Sequence, residues 1–147
     1  MGSDFTAYYA RTGDQFDKTS AYRFGPNVDL VELPVSGVLD DFPHFEHTHD
    51  TTGLSAPGKV QEIWIDEFEY ARRNVAGGLH SLTMHPQVIG RGHRLMMLER
   101  LIDFIKSHGE VRFTTMLDYA TAWRTANPLS QWLNSGAPQA QSACGRE

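Results

Sequence analysis

Apolar and polar positions change period along the chain, and those changes mark out its elements. Leu30-Val31-Glu32-Leu33-Pro34-Val35 alternates and is rich in β-branched side chains, which predicts a strand. Pro34 has no N–H to give a ladder, so that strand lies at a sheet edge or stops near the proline. From Lys59 to about Ala76 the period becomes helical. Val60, Ile63, Trp64, Phe68 and Val75 fall on one face, with Glu62, Asp66, Glu69 and Arg73 elsewhere, and Gly77-Gly78 ends the run. Leu79 to Met84 reads as a second strand. Arg94 to His108 is the clearest helix, with Leu95, Leu98, Leu101, Ile102 and Ile105 as its apolar stripe and Gly109 as its stop. Val111-Arg112-Phe113-Thr114 makes a third short strand. Met116 to Arg124 makes a last helix, with Tyr119, Ala120 and Trp123 facing inward.

The stretches between these elements are less patterned. Residues 1–28 hold Phe5, Tyr8, Tyr9, Phe16, Tyr22 and Phe24 without a period and read as a long loop pinned by its aromatics. Residues 40–58 carry Asp, His, Thr, Gly and Pro and read as a loop. Pro128 opens a polar tail. The expected organisation is an irregular segment over 1–28, a folded domain over 29–125 and a tail over 126–147. Strand, helix, strand, helix, strand, helix argues an α/β fold with parallel strands under covering helices.

Bulk properties narrow the function. A chain of 147 residues with 40% hydrophobic and 21% charged residues is an ordinary globular domain or part of one. The formal charge is −5 and no Lys/Arg cluster occurs, so nucleic acid is not the expected partner. A single cysteine, Cys144, rules out an internal disulfide. No apolar run approaches a membrane span, and the N-terminus lacks the basic and apolar regions of a signal peptide, so the expected location is cytoplasmic. Met1-Gly2-Ser3-Asp4-Phe5-Thr6 fits a myristoylation pattern, which is short and has no other feature beside it.

Leu82-Thr83-Met84-His85-Pro86-Gln87, followed by Ile89-Gly90-Arg91 and Arg94, carries the most chemistry. The apolar run ends in a histidine, and the proline behind it stops regular pairing and keeps His85 extended. His85 therefore sits at the mouth of a strand-loop-helix unit, where α/β folds collect their reactive groups. On periodicity alone it is equally a loop histidine bonded to backbone. Together with Met97-Leu98-Glu99, these residues resemble the closing motif of the polysaccharide deacetylase family, the NodB-type fold of carbohydrate esterase family 4. The similarity runs from about Leu30 to Trp123.

The resemblance implies the C-terminal part of a distorted, seven-stranded, NodB-like β/α barrel. It implies metal-assisted hydrolysis of an amide, an N-acetyl group on a sugar, with His85 as general acid. Val38-Leu39-Asp40-Asp41-Phe42 resembles the family's acidic Asp-Asp-Trp element, with Phe42 in place of the tryptophan. Either Asp40 or Asp41 is then the carboxylate that orients His85, although both also suit a loop of capped turns. Arg91 and Arg94 are candidates for substrate contact. A cation at a helix start opposes the helix dipole, so Arg94 is expected to have a partner. Asp40, Asp41 and a segment outside this chain are the candidates.

The family's early Asp-Asp element and its His-x-x-x-His metal element are missing. The expectation is no metal site and no cofactor in this chain, with a zinc-like divalent metal in the complete domain. His44, Glu46, His47, His49 and Asp50 cluster in sequence, but their spacing matches no zinc motif and reads as a solvated loop. Met1 reads as an internal methionine, and the chain by itself as inactive. Two other readings stand beside the deacetylase. Cofactor-independent allantoinases, which open cyclic amides, share the Leu-Pro-Val, Asp-Asp and Met-His-Pro segments, so the substrate is a carbohydrate or a small amide. A non-catalytic module that survives by association, including as a homo-oligomer, follows from the open edge of a partial parallel sheet.

Overall fold

The computed structural model describes residues 5–16, 18, 22–47, 49 and 53–134. The chain divides into two compact units. Pro34–Phe113 makes one, and the described parts of Met1–Leu33 and Thr114–Glu147 make the other. The fold is mixed helix and strand.

The unit formed by the two ends of the chain holds the one ladder among the described residues. β1 (Tyr8–Arg11) and β2 (Asn27–Glu32) pair antiparallel, Tyr8 opposite Glu32 and Tyr9 opposite Val31, with a slip in register before Arg11 meets Asn27. The region expected to be a loop thus supplies a strand. β2 begins earlier than the alternation suggested and ends two residues before Pro34. Parallel pairing was expected, and this pair is antiparallel, because the neighbour of β2 is a strand that the aperiodic segment concealed. Tyr9 explains the strand. Its ring is enclosed, 5.2 Å from Trp123 and 5.5 Å from Trp132, and its hydroxyl donates to the Asn127 carbonyl at 2.7 Å.

Met116–Ala126 forms α5 in this unit, as its pattern predicted. Thr115 caps it, the hydroxyl oxygen accepting the Asp118 N–H at 3.1 Å. Tyr119, Ala120 and Trp123 are its half-buried positions. Part of the expected tail is helical: Leu129–Asn134 forms α6, behind Pro128 and with Trp132 against Tyr9. Residues 135–147, including Cys144, and residues 1–4 of the acylation-like pattern lie outside the described residues.

The other unit is built on two long helices, α2 (Pro57–Asn74) and α4 (Gly92–Lys106). Val60, Trp64, Phe68 and Ala71 of α2 meet Met97, Leu101 and Ile105 of α4 in the core. The buried stripe of α4 is Arg94, Met97, Leu101 and Ile105, so the expected stripe was turned about the helix. Leu95 is 42% exposed, and Leu98 and Ile102 are half-buried. Apolar residues surround much of this helix, and the shape of α2 selects which of them go inside.

Two expected strands are not ladders. Val111–Thr114 has no strand pairing, and Leu79–Met84 pairs only at Thr83, which forms a parallel bridge with Asp40. The Asp41 N–H donates to the Thr83 carbonyl at 3.1 Å and the Thr83 N–H to the Leu39 carbonyl at 2.8 Å. A ladder needs a neighbour for every N–H and C=O, and the described residues supply only this one. Leu39 closes a 3-10 turn (Gly37–Leu39), followed by the five-residue helix α1 (Asp41–Phe45). The four-residue α3 (Pro86–Ile89) follows His85. Both short helices lie where loops were expected. No helix among the described residues is long and apolar enough to cross a membrane.

His80 is a titratable group set against the core. Its ring lies 5.7 Å from that of Phe68, its two ring nitrogens are shut off from solvent, and burial pushes its pKa down to about 4. A histidine depressed in the folded state binds its proton more readily when unfolded. Stability is therefore intact above the ordinary value near 6.5 and falls as pH drops toward 4. Urea titrations of the wild type and His80→Phe between pH 7 and pH 4 should show the wild type losing stability more steeply. Parallel curves would remove His80 from the acid response.

Candidate active site

The candidate site lies wholly within the unit built on α2 and α4, where two short helices meet at their first residues. Pro86 occupies the first position of α3, where its missing N–H costs nothing and its fixed φ starts the turn. His85 just before it is extended, with φ −105° and ψ 123°. Val88 and Ile89 bury the other side of α3 and fix it to the unit. Gly90 closes the turn toward α4, and a Cβ there would come within 2.3 Å of the Pro86 carbonyl oxygen, so no other residue fits without a shift. On the facing segment Asp40 caps α1, its carboxylate accepting the Phe42 N–H at 2.8 Å. Asp41 is the first residue of α1 and is completely buried.

Asp41 and His85 make the central contact. The His85 ring Nδ1 lies 2.7 Å from Asp41 Oδ1, and the His85 backbone N–H points at both carboxylate oxygens, 3.1 and 3.0 Å away. One histidine thus occupies a buried carboxylate through its ring and its main chain. Asp40 stands further off, its Oδ1 3.7 Å from Nδ1. The Phe42 ring flanks the imidazole at 5.5 Å. The sequence left Asp40 and Asp41 equal as partners of His85. The structure places Asp41 in the hydrogen bond and gives Asp40 the helix cap.

The hydrogen bond to Asp41 is the main reason His85 holds its proton above the ordinary histidine range. Desolvation opposes the shift, and the charges of Asp41 and Asp40 add to it. With Nδ1–H committed to Asp41, Nε2 is left for chemistry: a lone pair when the ring is neutral, a proton when it is charged. The imidazole remains about one-third exposed, so that nitrogen is not sealed in the core.

Asp40, Asp41 and His85 offer ligand atoms within 4.8 Å of one another. With its N–H donated to Asp41, Nδ1 has no lone pair for a cation, while both carboxylates keep free lone pairs; in this hydrogen-bonded state the three residues form an acid–base set. Among the described residues the His44–Asp50 stretch does not assemble a metal cluster. His44 Nε2 bonds the Val38 carbonyl at 2.9 Å, and Glu46 lies 3.6 Å from the Arg94 guanidinium. Asp50 lies outside the described residues.

The two arginines separate. Arg91 is exposed at the cap of α4, a position open to a ligand. Arg94 is 6% exposed and points inward. One guanidinium nitrogen donates to the Val88 carbonyl at 2.7 Å, the other to the Phe45 carbonyl at 3.1 Å, and the group sits 4.7 Å over the Phe45 ring. Its burial corrects the expectation of substrate contact, since both terminal nitrogens bond backbone carbonyls inside the protein and Nε is shut away without a partner among the described residues. The partners that the helix dipole called for are not Asp40 or Asp41 but this pair of backbone carbonyls, with Glu46 beside them. Sequence reasoning missed Trp64, whose Nε1–H shares the Val38 carbonyl with His44 at 2.9 Å and so holds the turn that leads into Asp40. Its helical spacing marked it as core and gave no sign of a hydrogen bond.

No family model matches the chain. It is 32% identical to the peptidoglycan deacetylase of Helicobacter pylori over 142 residues, a match covering 87% of this chain and 48% of the relative. It is also similar to the crystal structure of a Mycobacterium smegmatis protein described as a polysaccharide deacetylase. That match has a TM-score of 0.66 and 30% identity over 86% of this chain and 40% of the other. The chain thus spans about half the length of the curated relative it matches.

The two aspartates predict different effects on His85. Asp41→Asn removes the carboxylate in contact with Nδ1, so the imidazole should release its proton at lower pH than in the wild type. Asp40→Asn removes only a more distant charge and should lower the midpoint less. NMR titration of the His85 ring in folded variants checks the order, and the reverse order would make Asp40 the orienting group.

Proposed function

We propose that the chain is part of a polysaccharide deacetylase, as its likeness to two proteins described as deacetylases supports, and that it carries the proton donor of an amide hydrolase, His85, with Asp41 as its orienting carboxylate. The substrate class is an N-acetyl group on a sugar. The observation that carries this reading is the 2.7 Å contact between His85 Nδ1 and a wholly buried carboxylate beside a partly exposed imidazole.

The chemistry follows from the bond to be broken. When water adds to an amide carbonyl, the C–N bond breaks readily only if the nitrogen gains a proton, because an amide anion is a poor leaving group. An imidazolium supplies that proton from Nε2 and becomes neutral. Asp41 holds the ring so that Nε2 faces outward, and its charge stabilises the imidazolium while it waits. The elevated proton affinity of His85 favours the proton-bearing form that the acid role needs. Arg91, exposed six residues along the chain, is assigned to contact with a hydroxyl-rich substrate on this reading.

The proposal extends to architecture. The chain corresponds to the C-terminal part of a NodB-like β/α barrel, which fits its match to less than half of the solved structure. On this reading the divalent metal of the complete domain, and with it the activation of the water, is assigned to the remainder of such a domain; among the described residues Asp40, Asp41 and His85 are the ones whose ligand atoms come together.

A chimera tests the role of His85. This chain replaces the matching segment of the Helicobacter pylori relative, and acetate release from an N-acetylglucosamine oligomer is measured. His85→Ala should lower turnover of the folded chimera about 10²- to 10⁴-fold, the usual worth of a general acid, with metal content unchanged and with some loss of thermal stability, since Asp41 keeps only the main-chain N–H. Retention of more than about half the activity would discard the acid assignment.

A further inference from the structure

We infer that Arg94 is a positioning residue that sets the Asp41–His85 hydrogen bond by fastening together the two short helices that carry the pair. The meaning of this clamp for turnover rests on the acid reading of His85, but the clamp itself stands on geometry.

Asp41 opens α1 and His85 is the residue on which α3 begins. Helices of five and four residues do not hold their shape alone, since nucleation costs more than so few hydrogen bonds return. Something outside them must fix where they start. Arg94 projects from the first turn of α4 between them and donates to the carbonyl of Phe45, the last residue of α1, and to that of Val88 in α3. Both acceptors belong to the carbonyl-bearing ends of their helices, where a cation is favoured. The unfavourable place of Arg94 on its own helix is thereby offset by two favourable ones. The Phe45 ring beneath the guanidinium and the Glu46 carboxylate at 3.6 Å complete its surroundings. With both far ends tied to one planar group, the near ends bring Asp41 and His85 to 2.7 Å.

Loss of the clamp has a readout that loss of a merely structural side chain would not have. The charged groups facing His85 are Asp41 and Asp40, with the Phe42 ring beside it. Removing a positive charge from the neighbourhood would, through charge alone, raise the proton affinity of a histidine. If Arg94 acts by position, its removal lengthens the contact with Asp41 and lowers that affinity. The two mechanisms have opposite signs.

The experiment is NMR titration of the His85 ring in the full chain, comparing wild type, Arg94→Met, Arg94→Lys and the exposed control Arg100→Met. Circular dichroism and Trp64 fluorescence report folding. Arg94→Met should lower the His85 midpoint by about half a pH unit or more. Arg94→Lys should lower it less, because one ammonium cannot span two carbonyls in the same way. Arg100→Met should leave it in place. A folded Arg94→Met with an unchanged or raised midpoint overturns the inference. If Arg94→Met does not fold, Arg94→Lys decides, and an unchanged midpoint there overturns it. His85→Ala in the acetate assay tests the acid role separately, so either idea can fail without the other.

Discussion

A carboxylate with no exposed surface needs its hydrogen bonds made inside the protein, and Asp41 obtains them from one residue. An ionised group taken out of water without partners costs several kcal/mol. His85 answers with its ring N–H and its main-chain N–H. The arrangement is mutual. His85 is held at the end of an extended segment by the carboxylate it satisfies, and Asp41 is tolerated in the interior because His85 is there. Neither residue can move far without stranding the other, so this contact couples the turn before α1 to the start of α3.

That coupling explains the features around it. The parallel bridge between Asp40 and Thr83 brings the two segments side by side just before Asp41 and His85. Pro86 ends pairing at the right place and starts α3. The Val38 carbonyl is held by both Trp64 and His44, so the approach to Asp40 is fixed from the core. Arg94 ties the opposite ends of α1 and α3. These polar contacts converge on one geometry, and the long helices α2 and α4 supply the apolar mass that keeps it.

Long periodic elements were legible in the sequence and short ones were not. α2, α4 and α5 appear within a few residues of where their spacing put them, because each has enough turns for an apolar face to show. The direction of the α4 face was not legible: apolar residues lie on several sides, and only contact with α2 selects Met97, Leu101 and Ile105. Arg94 occupies the same inward stripe, which periodicity alone would never assign to a cation. β1 was hidden because its key residue, Tyr9, is recognisable only from Trp123 and Trp132, more than a hundred positions away. Leu79–Met84 and Val111–Thr114 have strand-like composition but lack the neighbours that make a ladder. At the site, His85 and the Asp40-Asp41 pair were legible as chemistry. The choice of Asp41 was not, because adjacent residues in a chain diverge by direction, and the cap at α1 turns Asp40 one way and Asp41 the other.

The division of labour between those adjacent aspartates has a physical logic. A helix cap must be an acceptor near the surface, since it meets a single N–H and keeps its other oxygen solvated. An orienting carboxylate for an acid must be buried, since water would compete for the imidazole N–H and weaken its hold. One residue cannot do both. Placing them in succession, with the first in extended geometry and the second as the first helical residue, points one carboxylate along the helix start and the other into the unit. The same local turn therefore stabilises α1 and delivers the group that loads His85. An exchange of Asp40 and Asp41 for a single aspartate at either position would lose one of those two functions.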